Sequence, residues 1–440
     1  MSSEGSTTPR LLPRSDHTVS RKNIHPDALK VLYRLSNAGY KGYLVGGSVR
    51  DLMLGRKPKD FDIATDARPN EVRRLFRNSR IIGRRFRLAH ILFKDHVVEV
   101  STFRREPDPT EQKSAPEELL ITSDNAFGTP EEDAWRRDFT INAMFYDISD
   151  FSIIDWIGGV EDLERGVVRT IGDPYVRFRE DPVRMMRACE IAGRLGFVID
   201  PASQAAIHEL RGVMEKASPA RLAEEIVALL RCGSSGRALQ WMLDLGLLEH
   251  LLPEAYDMVR ASELGLGDLG RILPELDGEI VAGRELADGV LVAALLLPTV
   301  LLRRYEADRA KRRPLRVDEI AALVEKAADS FFRRFPLSKE RSRQASEALG
   351  GFLRLCQPPA RAAERMRTAG KSFFADALFL FELMTKATGE GFEELAQWRA
   401  ASHRRPVLTR GAGVALPGQA DRPSGAAARP RRRRRGRRPH

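Results

Sequence analysis

Cysteine is scarce in this 440-residue chain: Cys189, Cys232 and Cys356 are odd in number, far apart, and set in apolar or helical contexts. That excludes a disulfide framework, and the absence of any CxxC or Cys/His spacing excludes a zinc ribbon or finger. The three read as buried thiols of a reducing compartment. Long apolar runs are missing too. The most apolar stretch, Val290–Leu302, contains Pro298 and Thr299. It is too short to cross a bilayer and is expected to be a buried helix broken near the proline. The first 25 residues are polar, without the apolar centre of a signal peptide. These absences predict a cytoplasmic protein without membrane association. Internal repeats are also lacking.

What is present is charge, unevenly placed. The formal net charge is +11, and Ala401–His440 holds twelve arginines, no lysine and one acid, Asp421. The 72 basic and 61 acidic residues of the whole chain therefore leave 60 of each in residues 1–400. The folded part balances, and the excess lies in one tail. Arginine suits bidentate contact with phosphates and stacking on unpaired bases, so residues 405–440 are expected to be a disordered arm that raises RNA affinity.

Composition divides the chain further. Residues 1–25 are rich in Ser, Thr and Arg and are expected to be disordered. Residues 26–174 mix short strands and helices, with a hairpin expected from Leu88–Phe93 and Val97–Phe103 around Lys94-Asp95-His96. Between Arg104 and Ala134 lies a polar, Pro- and acid-rich segment without periodicity, the kind of long loop that is functional or mobile. From about 175 the pattern is helical, without a convincing strand, and is divided into a neck (175–255) and a body (256–404).

Chemistry concentrates in "YLVGGSVRDLMLGRKPKDFDIAT", Tyr43–Thr65. Three apolar residues stop at Gly46-Gly47-Ser48, and Val49, Leu52 and Met53 then recur on one side, which predicts strand, tight turn and helix. Gly46 and Gly47 let backbone amides approach an anion ahead of a helix start, and Arg50 adds a guanidinium one turn on. In Asp60-Phe61-Asp62-Ile63 the residues alternate. An extended chain puts both carboxylates on one face, roughly 6–7 Å apart, with Phe61 and Ile63 on the other. Paired carboxylates repel, and a fold tolerates them best with cations between them, the arrangement for two Mg²⁺ ions in phosphoryl transfer. Each piece alone has an ordinary structural reading; ten residues apart across a short connection, they reinforce one another.

A third carboxylate has two candidates. Glu99 is a lone acid in the strand "VVEVSTF", and Asp138 follows paired arginines in "WRRDFTINAMFYDI". In "REDPVRMMRACEIAGRLGF", Asp181 precedes Pro182 at a helix start, and Asp181, Arg184 and Arg187 recur every three residues on one face. An aspartate accepts from an exocyclic amine while an arginine donates to a ring nitrogen or carbonyl, so such a pair suits a base edge.

"LVGGSVRDLMLG…KDFDIAT", "RRDFTINAMFYD" and "EDPVRMMRA", in this order, resemble the motifs of the class II nucleotidyltransferases, the family of bacterial poly(A) polymerases and tRNA CCA-adding enzymes. The resemblance runs from Tyr43 to Phe197. It implies an α+β fold: a polymerase-β-like nucleotidyltransferase head, then all-helical neck and body domains. It also implies that Asp60 and Asp62 hold two Mg²⁺ ions and that Gly46, Gly47 and Arg50 bind the triphosphate. Arg137, Asp181, Arg184 and Arg187 would contact the nucleotide. Many relatives carry another arginine one turn after Arg187, where this chain has Glu190, so that contact is absent or supplied elsewhere. "IIGRRFRLAHILF" and "DNAFGTPEEDAWRRDF" resemble the bacterial poly(A) polymerase branch, as does an Arg-rich C-terminal tail. No His-Asp dipeptide occurs, so the phosphohydrolase domain of some CCA-adding enzymes is missing. The expectation is a template-independent adenylyltransferase that uses ATP to extend RNA 3′ ends, with RNA-decay proteins as further partners. CCA addition to tRNA is the alternative within the same chemistry, and a non-catalytic RNA-binding protein the alternative outside it.

Overall fold

The computed structural model describes residues 8–83, 87–105, 126–260, 267–311, 313, 315–359 and 361–403. The Arg-rich tail at 405–440 and most of the polar segment after Arg104 lie outside the described residues.

The head is built on an eight-stranded sheet. Its strands are β1 (Arg10–Leu12), β2 (Gly42–Val45), β3 (Asp62–Thr65), β4 (Ser79–Ile82), β5 (Leu88–Leu92), β6 (Val97–Thr102), β7 (Phe145–Asp147) and β8 (Ile153–Asp155). The order is β1-β8-β7-β2-β3-β6-β5-β4, so β2, which leads into the glycine turn, and β3, which begins at Asp62, lie at the centre. β3 and β6 run parallel, whereas β2/β3 and the expected β5/β6 hairpin are antiparallel. Alternation gives the sheet two different faces. Leu44, Ile63, Ile91, Val98 and Val100 point into the main core. There they meet the helix Pro26–Asn37, whose Ala28, Val31, Leu32 and Leu35 form one apolar stripe. Tyr43, Val45 and Ala64 point the other way, to a smaller cluster with Phe103 and Phe145. Asp62 shares that second face, being two residues from Ala64 and opposite Val45.

Three expectations are corrected. Residues 8–25 are ordered: β1 pairs with β8, His17 contacts the Phe151 carbonyl, and Val19 and Ile24 are buried. Their local composition is polar, but β8 offers an unpaired edge and the core takes the few apolar side chains, a non-local gain that composition does not reveal. Among the described residues the helical half contains one strand, β10 (Val198–Ile199), which pairs in parallel with β9 (Val167–Val168). The apolar run is not broken at Pro298. It lies in a continuous helix, Asp288–Lys311, buried from Gly289 to Val300 at the centre of the body. The apolar side chains buried along Val290–Val300 stabilise the helix by more than the hydrogen bond that proline removes. Among the described residues no helix is long and apolar enough to cross a membrane.

The helix Val183–Leu195, which follows the head, packs on Ser235–Asp244 within the neck. Gly193 makes this close approach work, since a Cβ there would come within 2.6 Å of the Ala238 nitrogen. One cluster of buried side chains runs from Leu12 to Ala401. The boundaries drawn at 174 and 255 are thus proposals about chain organisation, not breaks in the core.

Candidate active site

Where the sheet's second face meets the helix Val183–Leu195, an open crevice of about 320 Å³ brings Asp62, Glu99, Arg137, Asp138, Asp181, Arg184 and Arg187 together. A larger groove of about 540 Å³ in the body is lined mainly by apolar side chains, among them Ile320, Val324, Phe332 and Phe373, and lacks this convergence.

One wall is acidic. In the parallel β3/β6 ladder Glu99 stands directly opposite Asp62, which places two carboxylates side by side on one face. Asp62 is accessible from the crevice mouth, yet protein surrounds it on most sides. That crowding, and next the Glu99 charge, push its carboxyl up to about 6, with Arg137 acting against them. His90 Nε2 lies 3.1 Å from a Glu99 oxygen without the alignment of a hydrogen bond. Asp60 precedes the strand, is exposed, and lies 3.9 Å from the Lys59 ammonium. Phe61 between them is buried, as the alternation requires.

The glycine turn backs onto this wall. Gly46 caps the helix Gly47–Met53 at φ +72°, where a side chain would be strained and would meet Arg137 at 3.3 Å and the Asp62 carboxylate at 3.9 Å. Arg50 does not face the crevice. It is buried behind the turn, donating to Asp51 at 2.9 Å and to Asn142 Oδ1 at 2.5 Å.

The opposite wall is a lattice of ion pairs. Asp138 accepts from Arg187 at 2.9 Å, from Asn142 at 3.0 Å and from the Phe139 N–H at 2.8 Å. Burial works to raise the Asp138 carboxyl, but these donors outweigh it and bring it to about 2. Asp133, fully buried, receives Arg136 and Arg137, each at 2.9 Å. Asp181 is held bidentately by Arg221 at 2.5 and 2.8 Å, and Arg184 donates to the Arg177 carbonyl and to Glu180. Glu190 pairs with Arg194 at 3.1 Å. Burial pushes Glu225 up to about 7, with Arg187 the chief charge opposing it.

Sequence reasoning missed Asp133, Arg221 and Glu225. Arg221 and Glu225 share the polar face of the neck helix Pro219–Leu230, whose Leu222 and Ile226 are buried. A charged helix face is ordinary, and only the tertiary contact with Asp181 sets this one apart. A separate group, His25, Asp27 and His96, has ligand-type atoms within 4.8 Å of one another. Its rings stack 4.1 Å apart, and His25 caps a helix by accepting from the Asp27 N–H, which accounts for the cluster without a metal.

Residues 42–169 match the family described as the Poly A polymerase head domain, and residues 196–258 the one described as a probable RNA and SrmB-binding site of polymerase A. The first match covers most of the sheet-built head and the second much of the neck. It is 49% identical over 248 residues to Poly(A) polymerase I of Salmonella typhi, covering 55% of this chain and 53% of that one. With the CCA-adding enzyme of Bacillus velezensis identity is 38% over 224 residues, 51% of this chain and 55% of the relative. The chain thus spans about half the length of the curated relatives it matches. Among solved structures it is similar to the Bacillus stearothermophilus CCA-adding enzyme in complex with CTP, at a TM-score of 0.58 and 26% identity, covering 86% of this chain and 82% of that one.

Proposed function

We propose that this chain is a template-independent polynucleotide adenylyltransferase that transfers AMP from ATP to RNA 3′ ends. The observation that carries this reading is the Asp62–Glu99 pair, set side by side at the mouth of an arginine-lined crevice. The higher identity to Poly(A) polymerase I than to the CCA-adding enzyme favours adenylyl transfer. The donors fit a hard divalent cation: all are carboxylate oxygens, and Asp62 carries a raised pKa that a cation would relieve. Asp60, Asp62 and Glu99 would hold Mg²⁺, with Glu99 the third carboxylate, because Asp138 is already neutralised by Arg187. Bound Mg²⁺ would supply charge neutralisation on the transferring phosphoryl group.

The chain's own residues do the positioning. The Gly46-Gly47 amides, with Arg137 beside them, receive the triphosphate and fix the α-phosphate for in-line attack by the RNA 3′-OH, pyrophosphate leaving. Arg50, through Asn142, and Arg187, through Asp138, hold the crevice walls in register. Asp181 and Arg184 meet the base, and Arg221 fixes the aspartate's orientation. Such a pair fits adenine or cytosine after a small shift, so CCA addition is the second reading, favoured by the likeness to a CTP-bound CCA-adding enzyme. We place the protein in the cytoplasm, with RNA-decay proteins as partners. Incubation with Mg²⁺, a generic RNA and each nucleoside triphosphate separately, followed by sequencing of the added nucleotides, tests this. Runs of A are expected; C addition to a tRNA lacking its last three nucleotides, stopping after one A, would reverse the assignment.

A further inference from the structure

The acidic wall belongs to a longer row. Asp62 pairs with Glu99 across β3/β6, Glu99 with His90 across β6/β5, and His90 with Arg80 across β5/β4. Directly paired residues share a face, so Arg80 stands on the crevice side of the sheet, three strand spacings or about 14 Å from Asp62. β4 is the edge strand. Among the described residues from 68 to 87, six arginines (68, 73, 74, 77, 80 and 87) accompany one acid, Glu71. All six are exposed, and among the described residues the side chains of Arg73, Arg77, Arg80 and Arg87 have no ion pair or hydrogen bond. The crevice arginines Arg137, Arg184 and Arg187 are each tied to an acid, whereas Arg77, Arg80 and Arg87 at this edge have no acidic partner among the described residues.

We infer that this edge is the track for the RNA strand just upstream of its 3′ end, with Arg77, Arg80 and Arg87 receiving its phosphates. The inference rests on the reading of the site as an RNA nucleotidyltransferase. The direction follows from in-line geometry, which puts attacking and leaving oxygens on opposite sides of the phosphorus. The glycine turn follows β2, on one side of β3, so pyrophosphate leaves on that side. The 3′-OH then approaches from the other, over Glu99 and His90, and the strand behind it runs onto β4. Arginine on an edge strand also blocks sheet-to-sheet aggregation, but that purpose does not require Arg80 to share the row of Asp62.

The test compares the Arg77→Gln/Arg80→Gln/Arg87→Gln protein with a control triple on the body surface, Arg333→Gln/Arg343→Gln/Arg367→Gln. Binding of a fluorescein-labelled oligoadenylate of about fifteen nucleotides is followed by anisotropy against salt, and KM is measured for RNA and for ATP. Three lost phosphate contacts should flatten the slope of log affinity against log salt by about 2 and raise the RNA KM roughly tenfold. The ATP KM and the extension of the dinucleotide ApA, too short to reach β4, should stay as in the wild type, and Arg80→Lys should retain most of the affinity. An unchanged salt slope, an equal effect from the control triple, or a loss of solubility alone would overturn the track and point to an acidic protein partner or edge protection. Anisotropy needs no nucleotide addition, so an inactive wild-type protein would refute the proposed reaction while leaving this result readable.

Discussion

Two carboxylates line one crevice and have been treated in opposite ways. Asp62 faces another acid, Glu99, and its carboxyl is pushed up to about 6; Asp138 faces Arg187 and is brought down to about 2. Both occur in short motifs among apolar residues, and both are crowded by protein. What separates them is whether the fold supplies a guanidinium. A carboxylate already paired is a strut that holds a wall in place, whereas one left beside a like charge holds its proton more tightly and suits a cation.

The largest expected effect sharpens the acidic side. Asp60→Asn or Asp62→Asn should lower nucleotide addition by several orders of magnitude while RNA binding, read by anisotropy, stays nearly intact. Retention of more than about a tenth of the wild-type rate in either variant would sink the metal assignment.

A second pair of variants could break the comparison itself. Glu99→Gln should cut kcat by about a hundredfold or more with no loss of thermal stability, because Glu99 stands opposite a like charge and is not hydrogen-bonded to its neighbour His90. Asp138→Asn should destabilise the protein by about 1–2 kcal/mol, at the low end for a lost charged partner because Arg187 is partly open to water. Thermal melts and single-turnover rates on both proteins decide it. If Asp138→Asn spares stability and abolishes chemistry, the roles are exchanged.

The smallest effect is a pH dependence. Burial and the Glu99 charge push the Asp62 carboxyl up to about 6 from its ordinary 3.8, so its charge costs stability in the metal-free fold. The cost is absent below about pH 4, grows as pH rises between the two values, and is complete above the folded one. Asp62→Asn should therefore raise the Tm of the metal-free protein at pH 7.5, lose that gain at pH 4, and show no gain at saturating Mg²⁺. A Tm difference independent of pH would remove the electrostatic account.

Much of this was legible in the chain. Strand, glycine turn and helix at Tyr43–Met53 followed from where the apolar run stops and the 3.6-residue period begins, and the exposure of Asp60 around a buried Phe61 followed from alternation. The β5/β6 hairpin and the long helical half were equally plain. Local periodicity determines such elements because each depends on residues a few positions apart. The ordering of residues 8–25 was not legible, because it depends on an open edge at β8 more than a hundred residues away. Nor was the continuity of the helix through Pro298, which depends on helices packed around it.

The same division runs through the site. The sequence by itself determined which residue types are present: paired aspartates, a flexible turn, and a helix carrying Asp181, Arg184 and Arg187 at one spacing. It left Glu99 and Asp138 equal as third carboxylates, turned Arg50 outward to phosphates, and did not connect Arg221 to Asp181. Only the tertiary structure set Glu99 opposite Asp62, buried Arg50 against Asn142, gave Asp138 to Arg187 and Asp181 to Arg221, and put Arg80 in line with the acids. The reason is physical: a charged side chain's role depends on which other charges come within a few ångströms, and chain spacing does not encode that distance.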